Sequence, residues 1–145
     1  MTLIIFDFNR TIYNPDNKKL ISGTKEVIIK LKQTGFKLAI VGKGSAERKK
    51  LIQKLGLKEL FDDINIKKEK SESQFKEMLK KFGETPETCY SVGDRVKKDI
   101  KYSNNVGLKT IWFKQGKFST EEPKEENEKP DYTVSSFKEI LNIVK

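Results

Sequence analysis

The feature that most constrains this chain is the apolar run Leu3-Ile-Ile-Phe6, which ends on the carboxylate of Asp7 and continues as Phe8-Asn9-Arg10-Thr11. An unbroken apolar run reads as a central parallel strand buried on both faces. In an open α/β sheet, ligands bind just past the carboxyl ends of the strands. Asp7 is therefore expected at the lip of a binding crevice. A strand that simply ends in a polar turn accounts for this segment alone equally well.

A second segment repeats the pattern. Cys89-Tyr-Ser-Val-Gly-Asp94 reads as another strand, ending in Gly-Asp, and Asp99 follows on what should be a helix. Two strands delivering carboxylates to one sheet edge suggest a site for a hard cation. Mg²⁺ takes oxygen ligands, typically one or two carboxylates with water and substrate phosphate.

Strand and helix patterns alternate along the rest of the chain. Strands are expected at 3–8, 37–41, 63–66, 89–92, 108–113 and 132–134. Helices are expected at 22–34, 45–55, after a capping box formed by Ser71 and Gln74, at 95–105 and at 136–144. Gly35, Gly56 and Gly83 stand where helices should stop. The order predicts one α/β domain over 1–145: a doubly wound, Rossmann-like, mostly parallel sheet. Residues 116–130 have little apolar content and read as a charged, solvated loop.

Composition removes several chemistries. The chain has no histidine, which excludes Ser-His-Asp and Cys-His nucleophiles and histidine-bound metals. Its single cysteine, Cys89, cannot form an intramolecular disulfide or a multi-cysteine zinc site. No apolar stretch approaches the roughly 20 residues needed to span a bilayer, and the N-terminal run lacks a signal peptide's basic leader. These features predict a cytoplasmic protein with no membrane partner. The formal charge is +9, with 25 basic and 14 acidic residues in 1–116. Such a surplus attracts anionic substrates or polyanions. The lysines are spread over several helices rather than interleaved with aromatics, so a solvated surface is the preferred reading and nucleic acid is not favoured.

Asp7-Phe-Asn9-Arg-Thr11, with Gly93-Asp94 and Asp99, resembles the first and fourth motifs of the haloacid dehalogenase-like (HAD) hydrolase superfamily. Leu55-Gly-Leu57, Phe61-Asp62, Asn105-Val-Gly107 and Lys129-Pro-Asp-Tyr132 also match the family's connecting pattern. The resemblance implies a HAD-like core and a phosphatase or phosphotransferase in which Asp7 attacks phosphorus to form an aspartyl-phosphate. It implies Mg²⁺ held by Asp7, Asp94, Asp99 and the main-chain carbonyl of Asn9, and a phosphorylated substrate of unspecified size. Asp99 has the alternative of a helix-surface carboxylate that only orients the metal's waters. The family's phosphate-neutralising lysine falls among Lys67, Lys68 and Lys70. Lys70 is chosen because it stands immediately before the helix N-cap.

Two positions depart from the family pattern. Its second aspartate, which donates a proton to the leaving alkoxide, is Asn9 here. An amide neither donates nor accepts a proton at neutral pH, and losing a general acid–base typically costs about 10²–10⁴ in rate. The family's second-motif hydroxyl falls on Gly42, leaving the amides of Gly42-Lys43-Gly44 or the Ser45 hydroxyl to cradle phosphate. Only 26 residues separate Thr11 from Leu38, too few for a cap insertion. The chain therefore resembles a capless member, a type that forms homo-oligomers or acts on large substrates. A metal- and phosphate-binding or regulatory module with impaired turnover is the alternative that Asn9 and Gly42 support.

Overall fold

The computed structural model describes residues 2–144. Its first strand is β1 (Leu3–Phe6), fully buried. A small antiparallel hairpin follows, made of β2 (Tyr13–Asn14) and β3 (Lys19–Leu20). Then come α1 (Thr24–Thr34), β4 (Lys37–Lys43), α2 (Ala46–Lys54), β5 (Asp63–Lys67) and α3 (Glu72–Phe82). The second half holds β6 (Tyr90–Gly93), α4 (Lys101–Val106), β7 (Lys109–Phe113) and β8 (Tyr132–Val134). The sheet order is β5-β4-β1-β6-β7-β8, and every neighbouring pair is parallel. This is the doubly wound sheet expected from the alternating pattern.

The alternation of side chains along β1 shows why both faces must be covered. Ile4 and Phe6 enter one core with Val27, Ile28 and Leu31 of α1, and with Phe137 and Ile140 near the C-terminus. Leu3 and Ile5 enter the other with Phe75, Met78 and Leu79 of α3. Phe6 stacks on Phe137 at 5.6 Å between ring centroids. A strand whose successive residues all face apolar neighbours can only be central, and β1 is.

The strand expected over 3–8 ends at Phe6, leaving Asp7 and Phe8 beyond it, and three further adjustments matter. First, β4 runs two residues beyond 41 because Gly42 and Lys43 keep their register with Ile66 and Lys67. Second, the helix expected at 95–105 opens with a π-helical turn, Val96–Ile100, before becoming α4. The wider turn carries the Asp99 carboxylate back to the Arg95 amide, 3.3 Å away. Third, the expected terminal helix is a 3₁₀ segment, Phe137–Asn142. Residues 116–130, read as a solvated loop, contain two short 3₁₀ turns and bury Glu128. Their charge hid the anchors that fold them back. Among the described residues, no helix is long and apolar enough to cross a membrane.

Candidate active site

The carboxyl ends of β1, β4 and β6 open into one cavity of about 480 Å³. Asp7, Asn9, Gly42, Lys43, Lys70, Asp94 and Asp99 all line it. Asp7 follows β1, and Asp94 follows β6, its neighbour in the sheet. Adjacent parallel strands ending at the same level bring the two carboxylates together. Asp7, Asp94 and Asp99 each present one oxygen, and these atoms lie within 4.8 Å of one another. Asp99 is 3% exposed, so it is not a helix-surface carboxylate.

Lys70 is placed by the start of α3. The Ser71 amide donates to Gln74 Oε1 at 3.0 Å, closing the capping box. The same Gln74 amide donates through Nε2 to the Gly42 carbonyl at 3.0 Å, tying α3 to the end of β4. Lys70 Nζ then reaches Asp7 Oδ1 at 2.7 Å and also contacts Asp99 Oδ1. Lys67 and Lys68 are exposed and do not line the cavity. Burial lowers the affinity of Lys70 for its proton, but Asp7 and Asp99 outweigh it and hold the pKa above the ordinary lysine value.

The carboxylates are electrostatically crowded. Burial, then the charges of Asp7 and Asp99, push Asp94 up to about 9. Burial and Asp7 push Asp99 up to about 6, against the opposing pull of Lys70. Asp94 Oδ2 and Asn9 Oδ1 are buried and have no hydrogen-bond partner among the described residues. Buried polar atoms are normally paired, and such atoms beside crowded carboxylates call for a cation. The donors are all oxygens, which suits Mg²⁺ rather than zinc.

The expected phosphate cradle is only partly assembled. Gly42 and Lys43 line the cavity, but Ser45 does not. Ser45 Oγ caps α2, accepting from the Glu47 amide at 3.3 Å. The Gly44 amide is already donated to the Lys67 carbonyl at 2.9 Å. Ser45 stands as a candidate because it offers a hydroxyl close to the glycine at position 42, whereas capping is the commoner use of serine at a helix start.

Sequence reasoning did not single out Arg48, Arg95, Lys98, Lys117 and Phe118, which also line the cavity. Arg48 lies over the Phe8 ring at 5.1 Å, and Arg95 over Phe118 at 4.1 Å. Lys117 and Phe118 belong to the segment read as solvated. The available signal was its single aromatic, Phe118, just after a strand end.

A model of HAD-hydrolase-like proteins matches residues 70–140. The chain is 32% identical over 130 residues to a glyceraldehyde 3-phosphate phosphatase of Pyrococcus furiosus, covering 86% of this chain and 54% of that one. It is 35% identical over 129 residues to a protein of the same name from Methanocaldococcus jannaschii, covering 84% and 55%. A crystal structure of a HAD phosphatase from Thermococcus onnurineus superposes with a TM-score of 0.84 at 16% identity, covering 99% of this chain and 97% of that one. The chain belongs to the HAD-like hydrolase superfamily. It spans about half the length of the curated relatives it matches.

Proposed function

We propose that this HAD-like chain is a Mg²⁺-dependent phosphatase or phosphotransferase acting on phosphomonoesters through an aspartyl-phosphate on Asp7. The observation that carries the reading is the convergence of three carboxylates and one buried lysine at a cavity open to solvent. Three crowded carboxylates are costly to keep in a scaffold and repay that cost at a reactive site. Asp7, Asp94, Asp99 and the Asn9 main-chain carbonyl would hold the metal. Bound there, Mg²⁺ supplies charge that screens the repulsion between a carboxylate and a phosphate dianion.

The chain's own groups divide the remaining work. Lys70 fixes Asp7 Oδ1 at 2.7 Å, and the Thr11 hydroxyl lies 3.4 Å from Oδ2, so the nucleophile is held from both sides. A carboxylate oxygen of Asp7 attacks phosphorus, the bond to the ester oxygen breaks, and the leaving alkoxide takes a proton from solvent water. Water then attacks the phosphorus of the aspartyl-phosphate, releasing inorganic phosphate and restoring Asp7. Asn9 lines the cavity but cannot supply the first proton or remove one from water. Turnover is therefore slow on poor leaving groups.

A phosphate-release assay with Mg²⁺ over a panel of phosphoesters tests the reading, with Asp7→Asn as control. Glyceraldehyde 3-phosphate belongs on the panel because the curated relatives carry its name. Mg²⁺-dependent release that disappears in Asp7→Asn supports the reading. Its absence from every ester, with Mg²⁺ binding intact, favours the second reading, a metal- and phosphate-binding module. The observation behind that alternative is Asn9, an amide where hydrolysis needs an acid.

A further inference from the structure

The outer wall of the cavity carries more positive charge than one phosphoryl group needs. Four lining cations already have carboxylate partners. Lys70 pairs with Asp7 and Asp99, Arg10 with Asp16, Lys43 with Glu69 and Arg95 with Glu121. Arg48, Lys98 and Lys117 also line it, and among the described residues none of the three has a carboxylate partner within ion-pair distance.

Lys98 and Lys117 come from the same side of the site. Lys98 lies in the π-helical turn after β6, and Lys117 in the 3₁₀ turn after β7, the adjacent strand. That second turn is fastened in place. Glu121 accepts from the Val96 amide at 2.9 Å and from Arg95 Nη2 at 3.2 Å. Arg95 also lies over the ring of Phe118, next to Lys117 in sequence, with Lys117 Nζ 5.4 Å from the centroid of the same ring. The Glu121 grip crosses from the 116–130 segment to the start of the Asp99 turn, so Lys117 is presented at the mouth by built contacts. Lys98 and Lys117 are exposed where Asp94 and Asp99 are buried, so the two lysines line the solvent side of the cavity while Lys70 serves the carboxylate cluster, which leaves them to a different part of the substrate.

We propose that the substrate is a small phosphomonoester carrying a second anionic group, a carboxylate or another phosphate, received by Lys98 and Lys117. This rests on the phosphatase reading and specifies its substrate class. The cavity volume lies within the 300–1,000 Å³ usual for small-ligand sites, which favours a small molecule over a polymer. Lysine suits the role because it meets either anion as a point charge without demanding a planar partner. Glu121 is a positioning residue that acts through Arg95 and the backbone at Val96. The charges at the rim are exposed, so the preference weakens as salt rises.

The test compares 3-phosphoglycerate with glycerol 3-phosphate, which share a three-carbon skeleton and differ in the carboxylate. Calorimetric titration of Asp7→Asn with Mg²⁺ present reads affinity without turnover, and wild-type kcat/KM on the same pair reads it during turnover. The expected result is a preference of about tenfold or more for 3-phosphoglycerate in at least one measurement, consistent with one added charge-assisted contact. The Lys98→Gln/Lys117→Gln double variant brings the two ligands within about twofold while retaining glycerol 3-phosphate binding. Glu121→Gln reduces the preference through KM rather than kcat. Equal affinity for the pair, binding of neither, or a preference that survives the double variant overturns the proposal. Tighter binding of a 5′-phosphorylated oligonucleotide than of 3-phosphoglycerate, lost in the same double variant, overturns it in favour of a nucleic-acid end. Failure of the phosphatase reading looks different: the binding preference persists and no ester is turned over.

Discussion

Gly93 and Asp99 are packed so closely that a Cβ at position 93 would stand 2.4 Å from Asp99 Cβ and 2.6 Å from its Oδ2. The end of β6 is thus bare because the Asp99 carboxylate occupies the space a side chain would fill. Gly93→Ala is expected to displace Asp99 from the carboxylate cluster rather than unfold the sheet. Overpacking of this kind costs about 1–3 kcal/mol. The check is a thermal melt with and without Mg²⁺. The variant retains a cooperative transition but loses most of the Mg²⁺-induced rise in Tm. A full Mg²⁺ shift in Gly93→Ala would show that Asp99 does not contribute to the cation site.

Stability without metal should fall as pH rises. Asp94 and Asp99 are both held above the ordinary carboxyl range, chiefly by burial. The native state therefore binds more protons than the unfolded chain between the ordinary value, near 4, and about 6 for Asp99 or about 9 for Asp94. Stability from these protonated groups is fully present below pH 4 and is lost as pH climbs through each folded value. The slope approaches about 1.4 kcal/mol per pH unit for each group within its window. Melting in a chelator from pH 5 to 9 reads this directly, and Asp94→Asn should flatten the upper part. A Tm that rises over that range in wild type would contradict the crowding of these carboxylates.

Lys70 is the counter-charge that makes the cluster tolerable in the absence of a cation. Lys70→Met leaves Asp7 and Asp99 buried without it. Removing one partner of a buried pair costs about 3–5 kcal/mol. Denaturant titration in chelator should show a loss of that order. Saturating Mg²⁺ should recover part of it, because the ion supplies replacement positive charge to the same oxygens. An equal loss with and without Mg²⁺ would separate Lys70 from the cation site.

The fold was largely legible because its signals are local and redundant. The Leu3–Phe6 run, the Ser71–Gln74 capping box and the helix-ending Gly35 and Gly83 each specify an element from a few neighbours. The carboxylates were legible because Asp7 and Asp94 follow strands whose ends a parallel sheet aligns. The outer rim was not. Glu121 finds Arg95 across 26 positions of sequence, and nothing local marks either residue as a partner. Composition made residues 116–130 look solvated, since charge alone does not reveal which carboxylates turn inward. Ser45 was misleading for the opposite reason, because one hydroxyl at a helix start serves equally as a cap or as an anion ligand.

Asn9 presents the sharpest test of how far this site can work. It lines the reaction cavity, and its side-chain oxygen is buried with no hydrogen-bond partner among the described residues. An aspartate introduced there would stand beside the groups that handle the ester, with a proton it can give and take. Asn9→Asp is therefore expected to raise turnover of alkyl phosphates by about 10²-fold or more, within the range usual for general acid–base catalysis. Aryl and acyl phosphates, whose leaving groups need little protonation, should gain much less. The substitution also adds a fourth carboxylate beside Asp7, Asp94 and Asp99, so the metal-free variant should melt below wild type and depend more strongly on Mg²⁺. Steady-state rates for wild type and Asn9→Asp on both ester classes, with melts alongside, provide the measurement. Alkyl-phosphate turnover that stays undetectable in a folded, Mg²⁺-binding Asn9→Asp protein would move the deficit elsewhere. Gly42 is then the next position to address. Its carbonyl is held by Gln74, and an added Cβ would meet Ile66 Cδ1 at 3.1 Å, so a serine there requires the end of the Ile66 side chain to shift by a few tenths of an ångström.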